Sequence, residues 1–201
     1  MLKCVLIFKM RIALLIASLL FCALARGDLI VIKKDNINDA SIANVKIIYN
    51  GSVNAGNISQ LMASLDEINL NYPSLKKIYL YINSDGGDMD SGYIAYEAIR
   101  SSKIPIVTVN TSMIASSATL IYCAAKERLA MYDTLFVLHP SSYSVNSMEL
   151  KPDTIARIKD DNDKYNNMFD RIYKKCTNYT DEERRYFPAT LSVCLCLQAR
   201  Q

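Results

Sequence analysis

Lys77-Ile78-Tyr79-Leu80-Tyr81-Ile82-Asn83-Ser84-Asp85-Gly86-Gly87 is the stretch that decides the fold. Lys77 to Ile82 is strongly apolar and rich in β-branched and aromatic side chains, so it reads as a strand, and Asn83 to Gly87 is a glycine-rich turn that ends it. On its N-terminal side, Val45 to Tyr49 reads as another strand, closed by Asn50-Gly51. Between the two strands, Ile58, Leu61, Met62, Leu65 and Ile68 recur at helical spacing, with Asn57 or Ser59 available as a cap, before Pro73 breaks the chain. On the C-terminal side come a helix at Ser91 to Arg100, a strand at Ile104 to Val109, a small-residue helix at Ala115 to Ala125 and a short strand at Leu135 to Leu138. Strands alternating with helices predict an α/β domain with a parallel sheet and right-handed crossovers.

From Asp153 to Lys175 the character changes to a densely charged helix. Its thin apolar stripe of Ile155, Ile158, Tyr165, Met168, Phe169 and Ile172 suits packing on a partner more than burial in a core.

Of the 201 residues, 51% are apolar and 21% charged, which is the composition of a globular domain. The net charge of +3 comes from Lys3, Lys9 and Arg11, since the first 25 residues hold no Asp or Glu. Without those three, 20 basic side chains face 20 acidic ones, so no nucleic-acid partner is expected. Residues 1–25 read as a secretory signal: a basic start, an apolar Ile12 to Leu20 too short to span a bilayer comfortably, and Ala23-Leu24-Ala25 before a cut after Ala25. A secreted or periplasmic protein is the expectation; the other reading is a membrane anchor over residues 12–25. Beyond the signal stand Cys123, Cys176, Cys194 and Cys196, which allow three pairings among which the sequence does not choose. With a single histidine and no CxxC pair, no metal site and no cofactor are expected.

Three features could carry chemistry. His139 is the only side chain of its kind in the chain, placed after a strand and before Pro140. Ser116 opens the small-residue helix, where free backbone amides could hold an oxyanion; an ordinary N-cap is the plainer reading. Gly86-Gly87 would let a backbone approach a substrate, or would simply make a turn; it is not a phosphate loop, for there is no GxGxxG and no Lys-Ser/Thr pair.

In combination these pieces resemble the Clp protease proteolytic subunit (ClpP) family. Tyr79 to Gly87, with Ser91-Gly92 and Ala95-Tyr96 after it, is similar to the family's YINSPGG segment and its adjoining helix. Met113-Ile114-Ala115-Ser116-Ser117-Ala118 resembles the G-x-A-A-S-M-G nucleophile motif, and Val137-Leu138-His139-Pro140 resembles M-I-H-Q-P. The three occur in family order over about residues 45–187. The resemblance implies a ClpP/crotonase fold of stacked βαβ units with a protruding handle helix, here Asp153 to Lys175. It implies a serine endopeptidase acting on peptides or unfolded polypeptides, with Ser116 as nucleophile, His139 as base, and the amides of Gly87 and Ser117 as oxyanion hole. It also implies heptameric rings of identical subunits, a backbone rail that holds substrate as an added strand, and an ATP-driven AAA+ unfoldase as partner, which does not suit an exported protein.

The chain departs from the family at Asp85, where a proline is usual, and at Ala118, where a glycine is usual. The triad aspartate is missing: one register places it near Leu191 and another at Arg184, with Glu183 adjacent but facing the wrong way. From Pro188 to Gln201 no acidic residue occurs, and the apolar Leu191 to Leu197 reads as a strand. The break in composition suggests a truncation or frameshift after about Phe187, which sets 188–201 apart as an atypical tail. Other readings are a catalytically impaired scaffold of the same fold, an envelope Ser-Lys dyad peptidase related to signal peptide peptidase A and NfeD-linked proteases with Lys151 or Lys159 in place of His139, and, more weakly, an acyl-CoA enzyme of the crotonase superfamily.

Overall fold

A computed structural model of the protein describes residues 42–144, 151–178, 180, 182 and 193–194. In chain order the elements are β1 (Asn44–Asn50), α1 (Ala55–Asn71), β2 (Lys77–Ser84), α2 (Met89–Ser101), β3 (Ile106–Ala115), α3 (Ala118–Ala124), β4 (Glu127–Ala130), β5 (Leu135–Leu138), α4 (Pro152–Cys176) and β6 (Val193–Cys194). The sheet order is β1-β2-β3-β5-β6, with β4 also pairing β3. All pairings are parallel except β5 with β6. The expected α/β class and parallel sheet are therefore present.

β2 shows why the strand forms where the sequence places it. Ile78, Leu80 and Ile82 point to one face and are fully buried, while Lys77, Tyr79, Tyr81 and Asn83 point to the other and stay partly exposed. Fully burying a side chain of this size stabilises by roughly 1.5–3 kcal/mol, so a one-residue slip of register would be strongly opposed. Leu61 and Leu65 of α1, Ala95 and Ile99 of α2 and Leu120 and Ile121 of α3 belong to the same core.

β1 and β2 extend slightly past their expected ends; β3 differs more. It runs to Ala115, six residues past the expected Val109, because it makes two pairings in succession: Val107–Asn110 lie beside β4 and Met113–Ala115 beside β5. The four-residue β4 carries none of the apolar periodicity that would reveal it in sequence. Register between β2 and β3 shifts between Ile82 and Ser84, whose partners are Asn110 and Ile114. There Thr111 Oγ1 donates to the Ile82 carbonyl (3.0 Å), and the Met113 amide donates to Asn83 Oδ1 (3.3 Å). Such an irregularity bends a strand and re-aims the residues beyond it.

Helix α1 begins at Ala55, with Asn54 as its cap in place of the expected Asn57 or Ser59. Asn54 Oδ1 accepts the Asn57 amide at 2.9 Å. Asn57 itself is buried, and its Nδ2 donates to the Ser52 carbonyl.

The charged helix α4 has two unlike halves. Phe169, Ile172 and Tyr173 enter the core, whereas Ile155 is 52% exposed. The expected stripe thus serves the chain's own core at one end and is uncovered at the other. Lys159–Asp163, Lys164–Asp160 and Lys164–Asp161 pair along its solvent side, where water and salt screen them and they add little to stability. Of the three possible cysteine pairings, Cys123–Cys176 is formed, linking α3 to the end of α4. Within the apolar stretch Leu191 to Leu197, Val193–Cys194 forms the short strand β6 against Val137–Leu138. Among the described residues no helix is long and apolar enough to cross a membrane; residues 1–25 lie outside them.

Candidate active site

β2 and β3 deliver the glycine pair and Ser116 to the same end of the sheet. Gly86 has φ 94°, and a Cβ there would lie 2.6 Å from Ser116 Cβ and 2.7 Å from the Ala115 carbonyl oxygen. Gly87 has φ 147°, and its Cβ would lie 2.2 Å from the Val53 carbonyl oxygen. Both positions demand glycine for close approach as well as for conformation. The bland turn is therefore a packing surface for the serine.

Ser116 does not cap the helix. It has φ 51°, a left-handed conformation rare for serine, and it forms the sharp corner between β3 and α3. The N-cap position belongs to Ser117, which makes no side-chain cap bond. Ser116 is pinned at both backbone groups: its amide donates to the Val137 carbonyl (2.9 Å), and its carbonyl accepts the Thr119 amide (2.9 Å). A helix running from Ala115, as the sequence predicts, cannot form through this corner.

Of the two expected oxyanion donors, Ser117 follows the serine in the chain and Gly87 follows the Gly86 that packs on it. The Val53 amide donates to the Gly86 carbonyl and the Asp88 amide to the Val53 carbonyl, both at 2.8 Å. This is a parallel bridge that steps over Gly87 and leaves its own N–H turned the other way. The Ser117 nitrogen lies 3.2 Å from the place a Gly86 Cβ would occupy, against the same turn. The Ser117 hydroxyl, by contrast, is buried and has no hydrogen-bond partner among the described residues, and its Cβ packs against Gly92 of α2.

His139 comes directly after β5, the strand beside β3. Register pairs Ala115 with Val137, so the histidine lies two residues beyond the Ser116 anchor. Its ring is half-buried, and Nδ1 lies 2.7 Å from the Pro140 carbonyl. A carbonyl can only accept, so Nδ1 carries a proton, and in the neutral ring the lone pair is on Nε2. The next turn is held by α4: the Ser141 amide donates to Asn166 Oδ1 (2.9 Å), and the Ser141 hydroxyl donates to Asn162 Oδ1 (2.6 Å).

Among the described residues, the Nδ1 partner of His139 is thus a backbone carbonyl and not a carboxylate. Glu183, Arg184 and Leu191, the positions considered for the triad acid, lie outside the described residues. Asp85 is exposed beside the glycine pair. Lys159 is drawn into a pair with Asp163, which raises its pKa, opposite to what a lysine base needs. Lys151 sits exposed at the N-cap of α4. Among the described residues no cluster of three His, Cys, Asp or Glu could hold a metal.

Some contributors are not marked in the sequence. Thr119 reads as one more residue of a small-residue helix and Tyr173 as one more of an apolar stripe, yet the Thr119 hydroxyl donates to the Ser116 carbonyl and is also bonded to the Tyr173 hydroxyl. Asn162 and Asn166 stand four residues apart, which puts them on one helix face, but nothing in sequence says what they face.

The Clp protease family model matches residues 32–185. A proteolytic subunit 3 of ATP-dependent Clp protease from Synechococcus sp. (strain CC9902) is 30% identical over 151 residues, covering 71% of this chain and 74% of that protein. Subunit 2 of Treponema pallidum is 36% identical over 66 residues, and subunit 2 of Pseudomonas aeruginosa is 30% identical over 112. The matched stretches cover 33% and 52% of those two relatives. A solved structure of a ClpP1 mutant from Listeria monocytogenes superposes with a TM-score of 0.62 at 19% identity, covering 73% of this chain and 79% of the other, and so shares the fold. The chain belongs to the Clp protease family and has the ClpP/crotonase-like fold.

Proposed function

We propose that the chain is a serine endopeptidase that cleaves peptides or already unfolded polypeptides. The observation that carries this reading is the strained Ser116 corner, held at φ 51° against a Gly86 that has no room for a side chain. A mere helix cap needs no such strain, whereas a nucleophile gains exposure from it. Ser116 Oγ attacks the peptide carbonyl while His139 Nε2 takes its proton; the Gly87 and Ser117 amides stabilise the oxyanion; His139 returns the proton to the leaving amine, and water repeats the sequence to release the acyl group. The Pro140 carbonyl holds the ring in the base tautomer and does so without the negative charge an aspartate would supply. Turnover is accordingly modest, since replacing the acid of such a triad lowers kcat by about 10⁴.

The compartment is proposed as extracytoplasmic, after removal of residues 1–25. The Cys123–Cys176 disulfide supports this, because such bonds persist in oxidising compartments. Outside the cytoplasm ATP is not expected, so cleavage proceeds without an unfoldase. Identical subunits assemble through the N-terminal end of α4, where Ile155 is exposed, in the ring arrangement of the family.

Hydrolysis of a fluorogenic peptide and of unfolded casein by the purified chain tests the activity. Ser116→Ala and His139→Ala are each expected to fall to background, and Lys159→Ala to keep wild-type turnover. Full retention by His139→Ala would favour the Ser-Lys dyad, and inert but folded wild-type protein would favour the scaffold.

A further inference from the structure

Ser116 and Ser117 share one peptide unit, so whatever holds the Ser116 carbonyl also aims the Ser117 N–H. The unit is planar and trans, with the N–H pointing opposite to the C=O. The carbonyl accepts from the Thr119 amide and from the Thr119 hydroxyl. That hydroxyl has a single proton, which it gives to Ser116, so its contact with Tyr173 is one in which the tyrosine O–H donates. The bonds therefore form a directed relay from α4 to the catalytic corner: Tyr173 O–H to Thr119 Oγ, and Thr119 O–H to the Ser116 carbonyl.

The surroundings keep this relay in place. Thr119 and Tyr173 are 1% and 5% exposed, so water does not compete for either hydroxyl. Burial raises the Tyr173 pKa, which keeps the phenol protonated as a donor. The Cys123–Cys176 disulfide lies one helical turn farther along both helices, four residues after Thr119 and three after Tyr173. It stops α4 from sliding past α3 and breaking the relay.

We infer that Thr119 and Tyr173 are positioning residues for the nucleophile and for the Ser117 oxyanion donor, linking α4 to the reaction rate. This rests on the reading of Ser116 as nucleophile. Loss of the relay leaves substrate binding intact and slows only the step in which negative charge develops, because the misdirected N–H is needed there and not before.

A fluorophosphonate probe tests this on the purified full chain. Ser116 Oγ attacks the probe's phosphorus and gives up its proton to His139, the P–F bond breaks and fluoride leaves, and the phosphoryl oxygen occupies the oxyanion hole. Thr119→Val is expected to lower the maximal labelling rate about tenfold, and Tyr173→Phe about threefold, with the half-saturating probe concentration unchanged. Thr119→Ser, which restores the hydroxyl, should label within about twofold of wild type. The double variant Thr119→Val/Tyr173→Phe should be no slower than Thr119→Val alone, because the tyrosine acts through the threonine. Wild-type rates in Thr119→Val, or a Thr119→Ser as slow as Thr119→Val, would overturn the inference while Ser116 stays labelled. Additive losses in the double variant would do the same, since they would signify two independent packing defects. Absence of wild-type labelling at Ser116 would instead remove the nucleophile reading, and the relay's role with it.

Discussion

Ser116 holds a backbone conformation that costs a non-glycine residue roughly 1–3 kcal/mol, and its surroundings over-determine it. Gly86 is the residue whose change should show this most directly. Gly86→Ala would put a methyl group 2.6 Å from Ser116 Cβ at φ 94°, so backbone must move. Urea unfolding should show a loss of at least about 2 kcal/mol, together with loss of hydrolysis; a variant as stable and active as wild type would show that the turn and the serine are not in contact. Two tyrosines give a separate handle. Burial pushes both Tyr49 and Tyr122 up to about 12, from an ordinary value near 10. Their native pKa lies above the unfolded one, so their contribution is fully present below pH about 10 and is lost as pH rises from about 10 to about 12. The urea midpoint should be flat as pH approaches about 10 from below and fall above it, less steeply in Tyr122→Phe.

The elements show what could be read from the sequence and what could not. Strands β2 and β5 and helix α1 were legible because each carries a local signal: a continuous apolar run or a period of 3.6, with Gly or Pro nearby. The end of β3 was not, because Thr111, Ser112 and Met113 depart from strand periodicity where the ladder shifts register. The corner at Ser116 was hidden for a related reason: left-handed φ at a serine is imposed by tertiary packing against Gly86, and serine itself signals only a cap. The candidate site was legible as three separated motifs in family order, whereas Thr119, Tyr173, Asn162 and Asn166 meet it only where α4 packs on α3 and on the loop after His139. Pairing of Cys123 with Cys176 is likewise a property of that helix contact. It closes a loop between residues separated by 53 positions, so reduction or Cys123→Ala/Cys176→Ala should lower stability by about 2–4 kcal/mol in urea unfolding. An unchanged midpoint with reductant would show that the bond is not formed in solution.

For the molecule as a whole, the sheet fixes three points of the proposed catalytic centre while α4 reaches outward from it. Ile155, in the first turns of α4, is exposed among the described residues, and the proposed assembly uses that end of the helix. Sedimentation velocity should find wild type as an oligomer and Ile155→Asp in smaller species; a wild-type monomer at micromolar concentration would contradict the ring. Activity then depends on whether Ser116 and His139 work as a pair with a backbone carbonyl in place of the acid. Peptide mapping of the fluorophosphonate adduct in wild type and His139→Ala, run side by side, reports on this directly. The expected result is a single adduct on Ser116 in wild type that forms at least about a hundredfold more slowly without the histidine. An adduct on another residue, or equal labelling of Ser116 in both proteins, would contradict it.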